Sequence, residues 1–383
     1  MNVLIGSHYF YPHVGGIESV VASHASRLTS RGHDITVISS DIGADSYFSQ
    51  REGYDVQRFK SWNPLEKIGA PYPIPSPSHV QKRIPNIINK IEPDLVHLHG
   101  LNYLTTTAVL QSVPDSIPVL LHQHTPFVDY FLPFKLIEFV NDQTIGRWNL
   151  HQAEQVLCVS GNIEDYVQYL RKSVETTVLM NGVDLNYYHP KKEDKSSVFN
   201  FDIDTPVFFM LSRMSKKKGV DVLLEAANIL EQRGVGVKII IAGSGPMSDD
   251  VGRMAEKTGN LEIFGRLTDQ KLSHCYASAD AFIFPSKTGE AFPTLTMMES
   301  YASGTPVIAS DLVDEPIGVK ESNTILIPPN DPEELADAMI KLANDKPLLN
   351  RMSKNARKSA EHHFSIESKV DQLEKLYKRT INS

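Results

Sequence analysis

The chain has 383 residues, 41% hydrophobic and 22% charged, the composition of an ordinary globular protein with material for about two or three domains. A net charge of −8 excludes a broad nucleic-acid surface, and no apolar run reaches the length of a membrane span. The two cysteines, Cys158 and Cys275, cannot form a disulfide framework; each reads as a small buried hydrophobe and points to a reducing, cytoplasmic compartment.

The N-terminus, Met1-Asn2-Val3-Leu4-Ile5, has no basic stretch and predicts a buried strand, not a signal peptide. A turn with Gly15-Gly16 follows, then a helical run through Val20, Val21, His24, Ala25 and Leu28, and a strand at Ile35–Ile38. Two glycines at a strand–helix turn let a ligand approach the backbone, and the helix N-terminus favours an anion; a tight turn with no ligand has the same signature.

Residues 60–80 are rich in proline and glycine and predict a long loop or lid. Val80 to Ile91 fits a helix carrying Lys82, Arg83 and Lys90. Two strands, Leu95–His99 and Val119–His124, bring in His97, His99, His122 and His124. Each pair is spaced to share a strand face. Zinc would need further ligands of acid or thiolate character, and no nearby cysteine offers one. Metal therefore ranks behind other roles, and His97 and His99 read as packing or loop-orienting groups.

Between Phe127 and Trp148 lie Tyr130, Phe131, Phe134, Leu136, Ile137, Phe139 and Val140. This stripe reads as core, with an acceptor or membrane surface as the alternative. Gln155–Val159 is a strand, and Ser160 is placed to cap the helix after it. Asn181-Gly182-Val183-Asp184 is a turn that closes the first domain, and the polar stretch from Pro190 to Thr205 reads as a linker or surface excursion.

A second alternating series then begins with the strand Val207–Leu211. Arg213 and Lys218, five residues apart in the next loop, have the chemistry a diphosphate needs, one bidentate and one point cation. A solvated Lys216-Lys217-Lys218 loop is the other reading. A helix at Val220–Arg233, strands at Val237–Ala242 and Leu261–Phe264, a helix capped by Thr268 and a strand at Ala281–Phe284 continue the pattern. Glu290, Thr294, Leu295 and Glu299 then fall in the loop and first turns of a helix. That is where open α/β sheets bind ligands, and where carboxylates can accept hydrogen bonds from sugar hydroxyls; two surface charges are the alternative. Strand–helix alternation in both halves predicts two parallel-sheet domains, 1–190 and 191–363, followed by a terminal helix within 364–383.

Five landmarks in this order resemble retaining glycosyltransferase family 4. They are Gly15-Gly16; His124 in Gln123-His124-Thr125-Pro126; Asn181-Gly182-Val183-Asp184; Arg213 with Lys218-Gly219; and Glu290 with Glu299, the latter running into Ala302-Ser303-Gly304-Thr305-Pro306-Val307-Ile308. The likeness spans nearly the whole chain. It departs from the family twice: eight residues, where the family has seven, separate Glu290 from Glu299, and Leu312–Gly318 replaces a loop that is often glycine-rich.

The resemblance implies an α/β, GT-B fold: two doubly wound Rossmann-like domains facing across a cleft, with the terminal helix crossing back onto the first. It implies a retaining, metal-independent hexosyltransferase with no cofactor. The donor would be a UDP- or GDP-linked sugar, and the acceptor a hydroxyl of a glycan, a lipid-linked glycan or a small molecule. By the same resemblance Arg213 and Lys218 hold the diphosphate in place of Mg²⁺, Glu299 the ribose and Glu290 the donor sugar, with Thr294 and Leu295 beside them. Gly15 and Gly16 let donor phosphate and acceptor come close, and His124 contacts the sugar near the reacting carbon. The leaving phosphate would accept the proton in a front-face attack. An epimerase on the same fold and a non-catalytic nucleotide-sugar-binding partner are the alternatives. The protein would be cytoplasmic, with peripheral contact at the inner membrane face left open by the aromatic stretch and Lys82-Arg83.

Overall fold

The computed structural model describes residues 1–64, 72–126, 134–190, 195–202, 204–287, 291–313 and 316–382. It divides into two compact units, one of Met1–Asn181 with Glu367–Ser383 and one of Gly182–Ile366. The division falls inside the Asn181-Gly182 turn.

In the first unit the order is β1 (Asn2–Gly6), α1 (Gly16–Ser30), β2 (Asp34–Ser40), β3 (Phe48–Arg51), β4 (Tyr54–Phe59), β5 (Ser61–Trp62), β6 (Ile74–Pro75), α2 (Ile84–Ile91), β7 (Leu95–His99), α3 (Leu104–Leu110), β8 (Val119–Gln123), α4 (Phe134–Asn141), α5 (Arg147–His151), β9 (Gln155–Cys158), α6 (Gly161–Leu170) and β10 (Glu175–Val178). The eight-stranded sheet runs β10-β9-β8-β7-β1-β2-β4-β3 and is parallel except where β3 meets β4. Val3, Leu4 and Ile5 are fully buried in succession, as a parallel strand covered on both faces requires. The chain moves one way from β1 and returns to β7 on the other side, so the fold's switch point lies between these two strands.

The C-terminal helix, Ile366–Ile381, belongs from Glu367 onward to this unit. Its Val370, Leu373 and Tyr377 are fully buried. Its acids meet α1: Arg27 Nε donates to Glu367 at 2.9 Å and Arg31 Nη1 to Asp371 at 2.6 Å.

Three expectations differ from the structure here. Part of the anticipated loop at 60–80 is the two-stranded ribbon of β5 and β6; residues 65–71 lie outside the described residues. On α4 the apolar stripe is not core: Leu136, Ile137, Phe139 and Val140 are all exposed. The helix turns its acids inward instead, because Glu138 takes a hydrogen bond from Tyr72 and the following Asp142 one from Asn102. Residues 127–133 of that stripe lie outside the described residues. Ser160 is the N-cap of α6, but its hydroxyl bonds Asn162 Oδ1 at 2.6 Å and makes no cap bond to the helix backbone.

In the second unit come α7 (Lys195–Phe199), β11 (Val207–Leu211), α8 (Val220–Gln232), β12 (Lys238–Ala242), α9 (Ser248–Lys257), β13 (Leu261–Gly265), α10 (Asp269–Ser278), β14 (Ala281–Phe284), α11 (Leu295–Ala302), β15 (Val307–Ser310), β16 (Thr324–Ile327), α12 (Pro332–Asn344) and α13 (Lys346–His363). The six strands, ordered β13-β12-β11-β14-β15-β16, are all parallel. One face of the sheet shares a core with α8 and α12, in which Phe208, Met210, Ile239 and Ile241 meet Leu223 and Leu335. Thr268, Thr294 and Asp331 cap α10, α11 and α12 through their side chains, as short polar residues at helix starts do. The switch point is between β11 and β14, so the loops leaving those strands border the crevice in which such sheets bind ligands.

Candidate active site

The loop after β11 carries the cations. Arg213 is exposed and Lys218 half-buried. Lys216–Lys218 form one short 3₁₀ turn, and Gly219 follows with φ +72°, a left-handed conformation that glycine tolerates. A second reason for glycine is space: a Cβ on Gly219 would collide with the carbonyl oxygen of Pro285, the residue just after β14. The two loops are also bonded, since Lys287 N donates to Lys217 O at 2.9 Å and Ser286 Oγ to the same oxygen at 3.3 Å. From the other side the Gly243-Ser244-Gly245 turn after β12 clasps the Arg213 loop, Met214 N donating to Ser244 O at 3.0 Å. Backbone contacts thus fix the segment bearing Arg213 and Lys218 against the loop that leads toward Glu290. Glu290 itself lies outside the described residues.

On α11, Thr294 accepts from the Met297 amide at 3.4 Å and starts the helix at Leu295. Glu299, at the start of the second turn, is half-buried. Tyr276 of α10, fully buried, donates its hydroxyl to Glu299 Oε2 at 2.9 Å, and Tyr188 hydrogen-bonds the same carboxyl. Burial pushes the Glu299 carboxyl up to about 7, against the pull of the two tyrosines. Such a carboxylate, held in place but poorly solvated, gains by accepting hydroxyl donors from a ligand. Tyr276 and Tyr188 have no motif around them; the packing of α10 beside α11 reveals Tyr276, and the fold of the segment before residue 190 against α11 reveals Tyr188.

The sequence also holds an Asp-x-Asp triplet of the kind that can carry a metal, Asp202 to Asp204. It precedes β11 and so stands at that strand's amino end, away from these loops. Asp204 is exposed and faces Lys346 at 3.4 Å.

In the first unit the sequence candidates border the β1/β7 switch point. Gly15 is the N-cap of α1 and Gly16 its first residue. The acid at that helix start is the chain's own Glu18, which is buried and takes His13 Nδ1 at 2.7 Å. A Cβ on Gly15 would come within 2.5 Å of Glu18 Oε2, so glycine makes room for this carboxylate. His124 follows β8, buried, with Nε2 at 2.8 Å from His99 Nδ1. Burial lowers its pKa to about 3, so at neutral pH it exchanges hydrogen bonds without a charge.

Residues 14–187 match the family described as Glycosyltransferase Family 4, and residues 191–359 match Glycosyl transferases group 1. The chain is a family 4 glycosyltransferase. This transferase is 25% identical to the O-antigen chain mannosyltransferase C of Escherichia coli, over 100% of each chain. It is 25% identical to the alpha-monoglucosyldiacylglycerol synthase of Streptococcus pneumoniae, over 81% of this chain and 71% of that one. Among solved structures, a sucrose-phosphate synthase from Thermosynechococcus elongatus matches with a TM-score of 0.82 at 20% identity, covering 98% of both chains. Anabaena HepE in complex with UDP-glucose matches with a TM-score of 0.73 at 19% identity, covering 98% of this chain and 99% of that one. These matches and the two doubly wound sheets establish the GT-B fold. No helix among the described residues is long and apolar enough to cross a membrane.

Proposed function

We propose that this glycosyltransferase moves a hexose from a nucleoside diphosphate sugar to an acceptor hydroxyl, with retention at the anomeric carbon and without a catalytic metal. The observation that carries the reading is the clasp between the β11 and β14 loops. It anchors Arg213 and Lys218 at the sheet's carboxyl edge, at the switch point, with Glu299 on the adjoining helix α11, held there by Tyr276 of α10 and by Tyr188.

In this reading Arg213 and Lys218 bind the diphosphate and stabilise the charge that grows on it as the sugar leaves, the electrostatic task a divalent cation performs elsewhere. Glu299 accepts hydrogen bonds from the ribose, and Thr294 and Leu295 lie at the start of the same helix. Glu290 holds the donor sugar. His124, neutral, contacts the sugar near the reacting carbon, and Gly15 and Gly16 leave room for donor phosphate and acceptor. The departing phosphate oxygen takes the acceptor's proton as the new glycosidic bond forms on the same face. A UDP-sugar is supported by the HepE complex. A lipid or lipid-linked acceptor is supported by the name of the Streptococcus relative and by the exposed apolar residues of α4.

A thermal-shift panel of UDP, GDP and ADP with their hexoses identifies the donor, since a ligand well above its Kd stabilises by a few kcal/mol. With that donor, nucleotide release should require an added acceptor and persist in EDTA, and the product should keep the donor's anomeric configuration by NMR. Release at the same rate without acceptor, with the sugar epimerised, would replace transfer by epimerisation.

A further inference from the structure

The first unit buries five histidines together. His24 comes from α1, His97 and His99 from β7, His122 from β8 and His124 from the turn after it. None is more than 7% exposed. Ring centroids stand 4.4 Å apart for His97 and His99, 5.0 Å for His99 and His122, and 4.5 Å for His122 and His124. Two side-chain hydrogen bonds serve the group: His97 Nδ1 with the Tyr377 hydroxyl at 2.6 Å, and His99 Nδ1 with His124 Nε2 at 2.8 Å. Nδ1 of His24, Nε2 of His97 and Nε2 of His99 are buried without a hydrogen-bond partner, and so are both nitrogens of His122 apart from a loose contact with the Leu179 backbone. Leaving a buried polar group unsatisfied is costly, and packing alone would be served by leucine or phenylalanine.

One ring nitrogen each of His24, His99 and His122 lies within 4.8 Å of the other two. Around a tetrahedral ion bound at about 2.0–2.1 Å, ligand nitrogens stand about 3.3 Å apart, so a small inward rotation of the rings would complete the set. We propose that His24, His99 and His122 form a buried binding site for a late first-row divalent cation, with zinc as the reference ion. Three imidazoles and no carboxylate select such an ion over Mg²⁺ or Ca²⁺. Burial lowers the pKa of each of the three, to about 4 for His24 and well below the ordinary value for His99 and His122, which leaves their lone pairs available. His99 is already oriented as a metal ligand should be: its Nδ1 is hydrogen-bonded to His124, and its Nε2 is open. A water or hydroxide takes the fourth position and offsets part of the ion's charge.

In the proposed reading this site takes no part in the transfer step itself. It does reach His124. With Nε2 on the ion, His99 carries its proton on Nδ1 and donates it to His124 Nε2, so His124 keeps its own proton on Nδ1. The ion is thus a positioning device one hydrogen bond behind His124.

The test uses the full-length chain without a histidine tag, dialysed against EDTA, loaded with Zn²⁺ or Co²⁺ and desalted. About one zinc per chain should be retained, the melting temperature should rise, and the Co²⁺ form should show the intense visible bands of a tetrahedral site. His24→Gln and His122→Gln should each lose at least tenfold in zinc affinity and the cobalt bands, while His151→Gln, at an exposed histidine, should keep both. A wild-type chain that retains no zinc and melts unchanged would overturn the proposal, as would full retention in both variants. If the variants do not fold, the wild-type stoichiometry and cobalt spectrum decide alone.

Discussion

The phenol of Tyr276 reaches Glu299 Oε2 at 2.9 Å and joins α10 to α11 beneath the edge of the second sheet. Tyr276 is fully buried, so phenylalanine fits its space. Tyr276→Phe removes one of the two bonds that favour the ionised carboxyl, and the pKa of Glu299 should move further up. Nucleotide affinity should fall by about 1–3 kcal/mol, roughly fivefold to a hundredfold, in calorimetric titration near pH 7. An unchanged affinity would take Glu299 out of the nucleotide site.

Glu299 also sets a pH dependence. Its folded pKa, about 7, lies above the ordinary 4.5, and Asp142 moves the same way, from 3.8 to about 7, chiefly through burial. The unfolded chain therefore releases these protons first as pH rises. The stability they contribute is whole below the ordinary values, falls between about pH 4 and pH 7, and is then lost. Glu299→Gln should flatten that part of the pH profile of the urea midpoint. A profile identical to wild type across this window would show that the carboxyl ionises freely in the folded protein.

Arg213→Ala and Lys218→Ala test the diphosphate role. Each should cost about 10²–10³ in kcat, the scale for removing one group that stabilises developing charge. Arg213 is exposed, so its loss should change stability by less than about 0.5 kcal/mol. Lys216→Ala should leave turnover near wild type. Equal losses at Lys216 and Arg213 would mean a diffuse positive surface in place of two placed cations.

Gly219→Ala probes the clasp without touching a charge. The φ of +72° and the Pro285 carbonyl oppose a Cβ together. Stability should drop by more than about 1 kcal/mol in urea titration, and kcat/KM should fall as Lys218 shifts. Wild-type stability and kcat/KM would show that the loops adjust freely and that their contact does not place the cations.

The parallel character of both sheets was legible because buried strands write themselves as unbroken apolar runs, such as Val3-Leu4-Ile5 and Ala281-Phe282-Ile283-Phe284. Arg213, Lys218 and Glu299 sit after strands, where open sheets gather ligand contacts, but residue type and place alone left a solvated loop and surface charges as equal readings, and it was the resemblance to the family that singled them out. The apolar stripe on α4 misled, since periodicity reports that a helix has an apolar face but not which way it turns. There Glu138 and Asp142 found partners inside, and Leu136 and Phe139 were left in solvent.

Local order in the chain was enough to determine strands, helix starts and the succession of charged loops, because these depend on residues a few positions apart. Which side chains meet across long separations was decided only by tertiary structure. Tyr276 found Glu299, Gly219 met Pro285, and His24 joined His99 and His122, because strand order and helix packing, not spacing, set those distances. A histidine within an apolar helical run carries no sign of its neighbours until the sheet beneath it is assembled.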